Sequence, residues 1–162
     1  MSQRTEIRIL FNVFLIYVNG HHLTPPIVTD LFTALNQAEV STDPVNFVPS
    51  VPWGGLSFSV RDWDLANLFR VIAQFKNQYP TLQFSLLGGC SKITLQNNAA
   101  QNARDRIYHF FKSLQQSSVE ILLVSSSSSS VSALIPDNEL DSALHSLKQT
   151  FPYAQIIYED LV

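Results

Sequence analysis

The chain has 162 residues, 46% of them hydrophobic and 11% aromatic, which is enough apolar material for one large core or two small ones and excludes overall disorder. Ten basic against 13 acidic side chains give a formal charge of −3, so there is no general electrostatic attraction for nucleic acid or anionic lipid. The single cysteine, Cys90, cannot close an intramolecular disulfide, and a cytoplasmic location is the default expectation.

Arg4 and Arg8 precede the apolar run Ile9 to Val18 and imitate a secretory signal, but Glu6, Asn12 and the lack of a small-x-small site after Val18 speak against one. As a helix this run would rise only about 15 Å, half a bilayer core, so Phe11 to Val18 is predicted as a buried strand. Ile27, Leu31, Ala34 and Leu35 mark a helical face, Val45 to Val48 a short strand, and Leu56 to Val60 an alternating one. A second helix carries Leu65, Leu68, Phe69 and Ile72 and stops near Tyr79-Pro80; a strand over Leu82 to Leu87 then reaches the Gly88-Gly89 joint. Beyond it the pattern predicts a strand at Ser91 to Gln96, a helix on Ile107, Phe110, Phe111 and Leu114, and a strand at Val119 to Val124. The serine run Ser125 to Ser130 is predicted as a turn between strands. Val131 to Ile135, a helix on Leu140, Ala143, Leu144 and Leu147, and a last strand at Ala154 to Asp160 complete the order.

This order repeats itself. Leu56-Ser57-Phe58-Ser59-Val60 followed by Arg61-Asp62-Trp63-Asp64-Leu65 lies over Val131-Ser132-Ala133-Leu134-Ile135 followed by Pro136-Asp137-Asn138-Glu139-Leu140, an alternating strand entering an acidic helix start each time. The fold class expected is α+β, two ferredoxin-like βαββαβ repeats at residues 1–88 and 89–162. Asp62, Asp64, Asp137 and Glu139 are expected to favour the helix N-termini they precede.

On these residues, together with Val124-Ser125-Ser126-Ser127 and the closing Ala143-Leu144-His145-Ser146-Leu147 and Phe151, the chain resembles the tandem ACT-domain regulatory region of aspartate kinases, in particular the separately translated regulatory subunit. The resemblance runs from about Arg8 to Phe151. It implies ACT-type modules whose sheets continue across a dimer, lysine or threonine held at the seams, and feedback control of a separate aspartate kinase catalytic chain. Nothing near the N-terminus resembles the kinase's Lys-Phe-Gly-Gly-Thr-Ser segment, so catalysis by this chain alone is not implied.

The ligand-binding positions that the resemblance implies are changed here. The family's first strand-to-helix loop ends in Asp-x-Pro-Gly, where this chain has Leu23-Thr24-Pro25-Pro26. Leu23 replaces the acid, and Pro26 replaces a glycine that lets a helix N-terminus approach a carboxylate. His21 or His22 beside them is a candidate substitute partner for that carboxylate, the alternative being a solvated turn. Asp43 matches the family's Asp at the second strand, while Phe47 stands where a Gln is expected. In the second repeat Gln96, Asn97 and Asn98 replace a Gly-x-Gly-Met loop, and Ser125 and Ser126 match a Ser-Thr pair. The effector loops are degraded relative to the scaffold.

Other chemistry finds little footing. His21 and His22 have no third ligand at metal spacing, so neither a metal nor a cofactor is expected, and Cys90 reads as a small buried hydrophobe. An acylphosphatase-like enzyme on this fold would need an arginine in the first loop, which Asn19-Gly20-His21-His22-Leu23 lacks. An RNA-recognition-like sheet would use Phe58 as a stacking platform. Trp53 is a candidate pocket cap or partner contact, and Trp63 is expected to pack at the edge of the core.

Overall fold

A computed structural model describes residues 4–21, 23–49, 53–97 and 103–159, Trp53 by its backbone alone. It is a mixed α+β protein with strands β1 (Thr5–His21), β2 (Val45–Val48), β3 (Trp53–Arg61), β4 (Gln83–Asn97), β5 (Leu123–Ser126), β6 (Ser130–Pro136) and β7 (Gln155–Tyr158). The helices are α1 (Pro25–Gln37), α2 (Leu65–Gln78), α3 (Ala103–Gln116) and α4 (Leu140–Thr150), the second and fourth entered through single 3-10 turns at Asp62–Asp64 and Asp137–Glu139. Two compact units result, Asn12–Gly88 and Met1–Phe11 with Gly89–Val162. Among the described residues no helix is long and apolar enough to cross a membrane.

In the unit Asn12–Gly88 the strand order is β2-β3-β1-β4. Antiparallel pairing of β1 with β3 runs from Val13↔Arg61 to His21↔Trp53, and of β2 with β3 from Val45↔Phe58 to Val48↔Gly55. The period of two turns Ile16, Val18, Leu56, Phe58 and Val60 to one face, where they pack with Leu31 and Leu35 of α1 and Leu68, Val71 and Phe75 of α2. Pro25 and Pro26 open α1 where the missing amide hydrogen costs no intrahelical bond. The helix is closed by Glu39 at φ 57°, which lets Val40 N–H reach Leu35 O at 2.9 Å.

The other unit is built on β4 from Gly89 onward. Antiparallel pairing with β6 spans Cys90↔Pro136 to Gln96↔Ser130, and β5 lies on the far side of β6. Ile93, Leu95, Val131, Ala133 and Ile135 meet Phe110 and Leu114 of α3 and Ala143 and Leu147 of α4. Ile7 and Ile9 complete this core, because the start of β1 pairs in parallel with β7 from Glu6↔Gln155 to Ile9↔Tyr158. The closing strand therefore pairs with the opening one.

Several expectations meet a different outcome. The start of β1, assigned to the first repeat in the expected division, pairs with β7 over Glu6 to Ile9, and contacts group it with Gly89–Val162. The two units divide between Gly88 and Gly89, and both glycines lie within strand β4, Gly88 against the Phe14 ring and Gly89 at φ 68°. The strand expected at Val119 to Val124 starts only at Leu123, since Ser118 at φ 54° and Val119, whose N–H reaches Leu114 O, close α3 first. Phe69 is 51% exposed; Val71 and Phe75 take its place in the buried stripe. Trp63 is exposed as well, and the Arg61 guanidinium lies 4.1 Å from its ring centroid, a cation–π contact at the surface.

Candidate functional site

The positions singled out in the unit Asn12–Gly88 do not converge. Leu23 is buried against Gly54, whose added Cβ would lie 2.8 Å from Leu23 O, while Pro26 is exposed in the first turn of α1. Phe47 faces the core opposite Leu56. Asp43 belongs elsewhere: its N–H donates to Ser59 O at 3.1 Å and its carbonyl accepts from the Ser59 hydroxyl. Five residues of β3 separate Gly54 from Ser59, about 16 Å at the rise of a strand, so Asp43 and Leu23 flank no common point. His22 lies outside the described residues.

This unit does carry a cleft of about 480 Å³ on the sheet face away from the helices, lined by Tyr17, Asn19, Asn46, Val48, Gly55 and Ser57 among others. Among the described residues none on its lining is charged, and none of those was singled out from the sequence as a ligand contact. Phe58 is fully buried on the opposite face in an edge-on contact with Phe32, so it offers no platform for a base.

In the other unit the expected residues gather at one end of the sheet. Gln96 pairs with Ser130, Ser126 with Val131 and Ser125 with Ser132, and Asn97 N–H donates to Ser129 O at 3.0 Å. Asn98 lies outside the described residues. The serine run is a tight turn satisfied from within: Ser127 N–H reaches Ser130 O at 2.8 Å, and Ser127 Oγ accepts from the N–H groups of Ser129 and Ser130.

That turn is clamped by a residue the sequence pattern did not flag. Arg106, in the first two turns of α3, points inward and is 7% exposed. Its Nη2 donates to Ser128 O at 2.8 Å and its Nη1 to Asn97 O at 3.4 Å, while Nε is buried without a partner. Beside it lies a cleft of about 330 Å³, polar where Thr5, Asn97, Asp105, Arg106 and His109 line it and apolar at Leu95 and Phe151. The spacing carried a usable signal, since Arg106, Phe110, Ser113 and Leu114 are the buried positions of α3 and fall on one helical stripe. A charged residue on such a stripe is either paired or functional.

Among the described residues no constellation for covalent chemistry accompanies these clefts. Cys90 is buried, and burial, with the nearby Asp137 carboxylate second, pushes its thiol above the ordinary range and away from the reactive thiolate. Among the described residues no three His, Cys, Asp or Glu side chains are placed to share a metal ion.

No protein-family model and no curated protein matches the chain. Solved structures do. The regulatory subunit of aspartate kinase from Thermus thermophilus, in its ligand-free form, superposes with a TM-score of 0.81 at 16% identity, covering 93% of this chain and 97% of that one. This is the fold of an aspartate kinase regulatory subunit. A structure of aspartokinase alpha and beta subunits aligns with a TM-score of 0.80 at 18% identity over 91% of this chain and 97% of that chain. A C-terminal regulatory domain of aspartate kinase from Porphyromonas gingivalis W83 gives 0.67 at 15% identity over 90% and 96%. The resemblance drawn from the serine strand and the Ala-x-x-x-Leu-type helix thus agrees with the three-dimensional fold.

Proposed function

We propose that this chain is a non-catalytic regulatory module of the aspartate kinase type, which associates with a second copy of itself or with an aspartate kinase catalytic chain in the cytoplasm. One observation carries this reading: the superposition spans nearly the whole of both chains, 93% of this one and 97% of the Thermus thermophilus regulatory subunit. The two units correspond to two ACT-type repeats, the second widened by the opening strand.

The physical basis of such control is differential binding. A small ligand that meets its full set of partners in only one assembly state stabilises that state, and its coupling to the kinase equals the difference in its affinity for the two. The changed loop, with Leu23 and Pro26 in place of an acid and a glycine, has lost an ammonium partner and a backbone donor, so lysine or threonine would find little to hold there. Gln96, Asn97, Asn98, Ser125 and Ser126 of the other unit remain the positions at which an effector loop of this type would be read.

The test is to mix the chain with the aspartate kinase catalytic chain of the same organism and follow association by equilibrium ultracentrifugation and kinase rate, with and without each of the twenty amino acids. Association together with a changed rate is the expected result. A monomer at roughly tens of micromolar that neither binds nor alters the kinase would overturn the reading.

A further inference from the structure

We propose that the cleft at the end of β4 beside the first two turns of α3 binds a small dicarboxylate, with Arg106 as its anchor. Arg106 carries a full positive charge at 7% exposure, yet its partners are two backbone carbonyl oxygens, and among the described residues no carboxylate lies within 4 Å of it. Carbonyl dipoles orient a guanidinium without neutralising it, and a buried charge with no opposite charge is unfavourable. Nε is shielded, but Nη1 and Nη2 each keep a second N–H beyond the carbonyl they meet, and a pair of N–H groups of this kind matches a carboxylate's two oxygens.

The rest of the lining sets the ligand's class. His109 stands three residues on from Arg106, hence on the same side of α3, and offers a ring N–H for a second acidic group. Leu95 and Phe151 provide apolar walls for a short methylene chain between the two, and Thr5 contributes a hydroxyl. A volume of about 330 Å³ accommodates a molecule of four or five carbons with water to spare. Among the described residues Asp105 is the one acidic residue on the lining, and its like charge opposes a dianion. Fixing the dicarboxylate would also fix the Asn97 and serine-turn carbonyls that Arg106 holds, coupling the ligand to the β5–β6 turn. The inference rests on the regulatory reading only in treating the dicarboxylate as an effector; binding itself is measured without the kinase.

The experiment is isothermal titration calorimetry of the full chain with succinate and L-glutamate, against succinamide, L-lysine and inorganic phosphate. Saturable one-to-one binding of succinate or L-glutamate is expected, with no binding of succinamide or lysine. Arg106→Met should weaken the dicarboxylate at least tenfold, and Asp105→Asn should tighten succinate severalfold, an effect that a purely structural Arg106 would not produce. If Arg106→Met does not fold by circular dichroism, Arg106→Lys and His109→Ala supply the same comparison, each expected to weaken binding. The proposal is overturned if no dicarboxylate binds at about 10 mM, if phosphate or lysine binds in preference, if these variants leave the affinity unchanged, or if Asp105→Asn weakens succinate. Loss of dicarboxylate binding with the kinase association intact would remove this inference alone.

Discussion

Asp64 accepts the backbone N–H of Ser41 on Oδ2 at 3.1 Å, with only 7% of the aspartate exposed. Glu139, its counterpart in the repeat, accepts the N–H of Glu120 at 2.6 Å in a more exposed setting. These acids stand in the turns that open the helices they precede, without a side-chain cap bond there, and each also closes the chain that follows the other helix of its unit. A hydrogen bond to a charged, buried acceptor contributes more than one in water, so Asp64→Ala should cost about 2 kcal/mol and Glu139→Ala less than about 1 kcal/mol. Urea unfolding of the two variants checks the order, and equal losses would show that burial does not set it.

Glu39 and Ser118 hold the same left-handed conformation, at φ 57° and 54°, one residue before the N–H groups of Val40 and Val119 close α1 and α3. A side chain there meets a penalty that glycine escapes. Glu39→Gly and Ser118→Gly should each raise stability by about 0.5–1 kcal/mol, the gain in backbone fit exceeding the extra freedom glycine gives the unfolded chain. Thermal unfolding would show both midpoints rising; a fall in both would mean that the side chains' contacts outweigh the backbone strain.

Much of this architecture is legible in the alternation of apolar residues. Ile16 and Val18, Leu56 and Phe58, and Val131, Ala133 and Ile135 announce strands with one buried face, and the stripe on α4 is where Leu140, Ala143 and Leu147 place it. What stays hidden depends on long-range pairing. Nothing local to Ile7 or Ile9 says that they will pair with Ile156 and Tyr158, and nothing local to Gly88 says that it will lie against the Phe14 ring. Of the residues that line the cleft beside Arg106, Asn97 is one the sequence singles out. Arg106 is missed because apolar periodicity discounts a cation, although its spacing to Phe110 and Leu114 is that of a core residue.

Gly54 sets how closely the loop after β1 can approach β3. An added Cβ would stand 2.8 Å from Leu23 O, a backbone atom that cannot swing aside as a side chain can. Gly54→Ala should therefore destabilise the protein by about 2 kcal/mol or more, the cost of overpacking a close backbone contact. At Gly20 the nearest obstacle is the Leu82 side-chain tip at 2.7 Å, which can change rotamer, so Gly20→Ala should cost less. Chemical denaturation of the pair decides whether Leu23 is seated as tightly as its 3% exposure indicates.

Cys90 links stability to alkaline pH. Burial, and secondarily Asp137, raises its thiol above the ordinary value of 9.0, so the folded protein keeps this proton at a pH where the unfolded chain has released it. The folded state then binds more protons than the unfolded one, and stability must fall as pH rises. The contribution is whole below the unfolded thiol's titration near pH 9 and is lost progressively up to the folded value. Cys90→Ala removes this one titration while keeping a small apolar side chain at a site that is 1% exposed. Urea midpoints measured from pH 7 to 10 should decline more steeply for the native chain than for Cys90→Ala above about pH 8.5 and run parallel below it. Parallel curves throughout would show that the thiol titrates alike in both states.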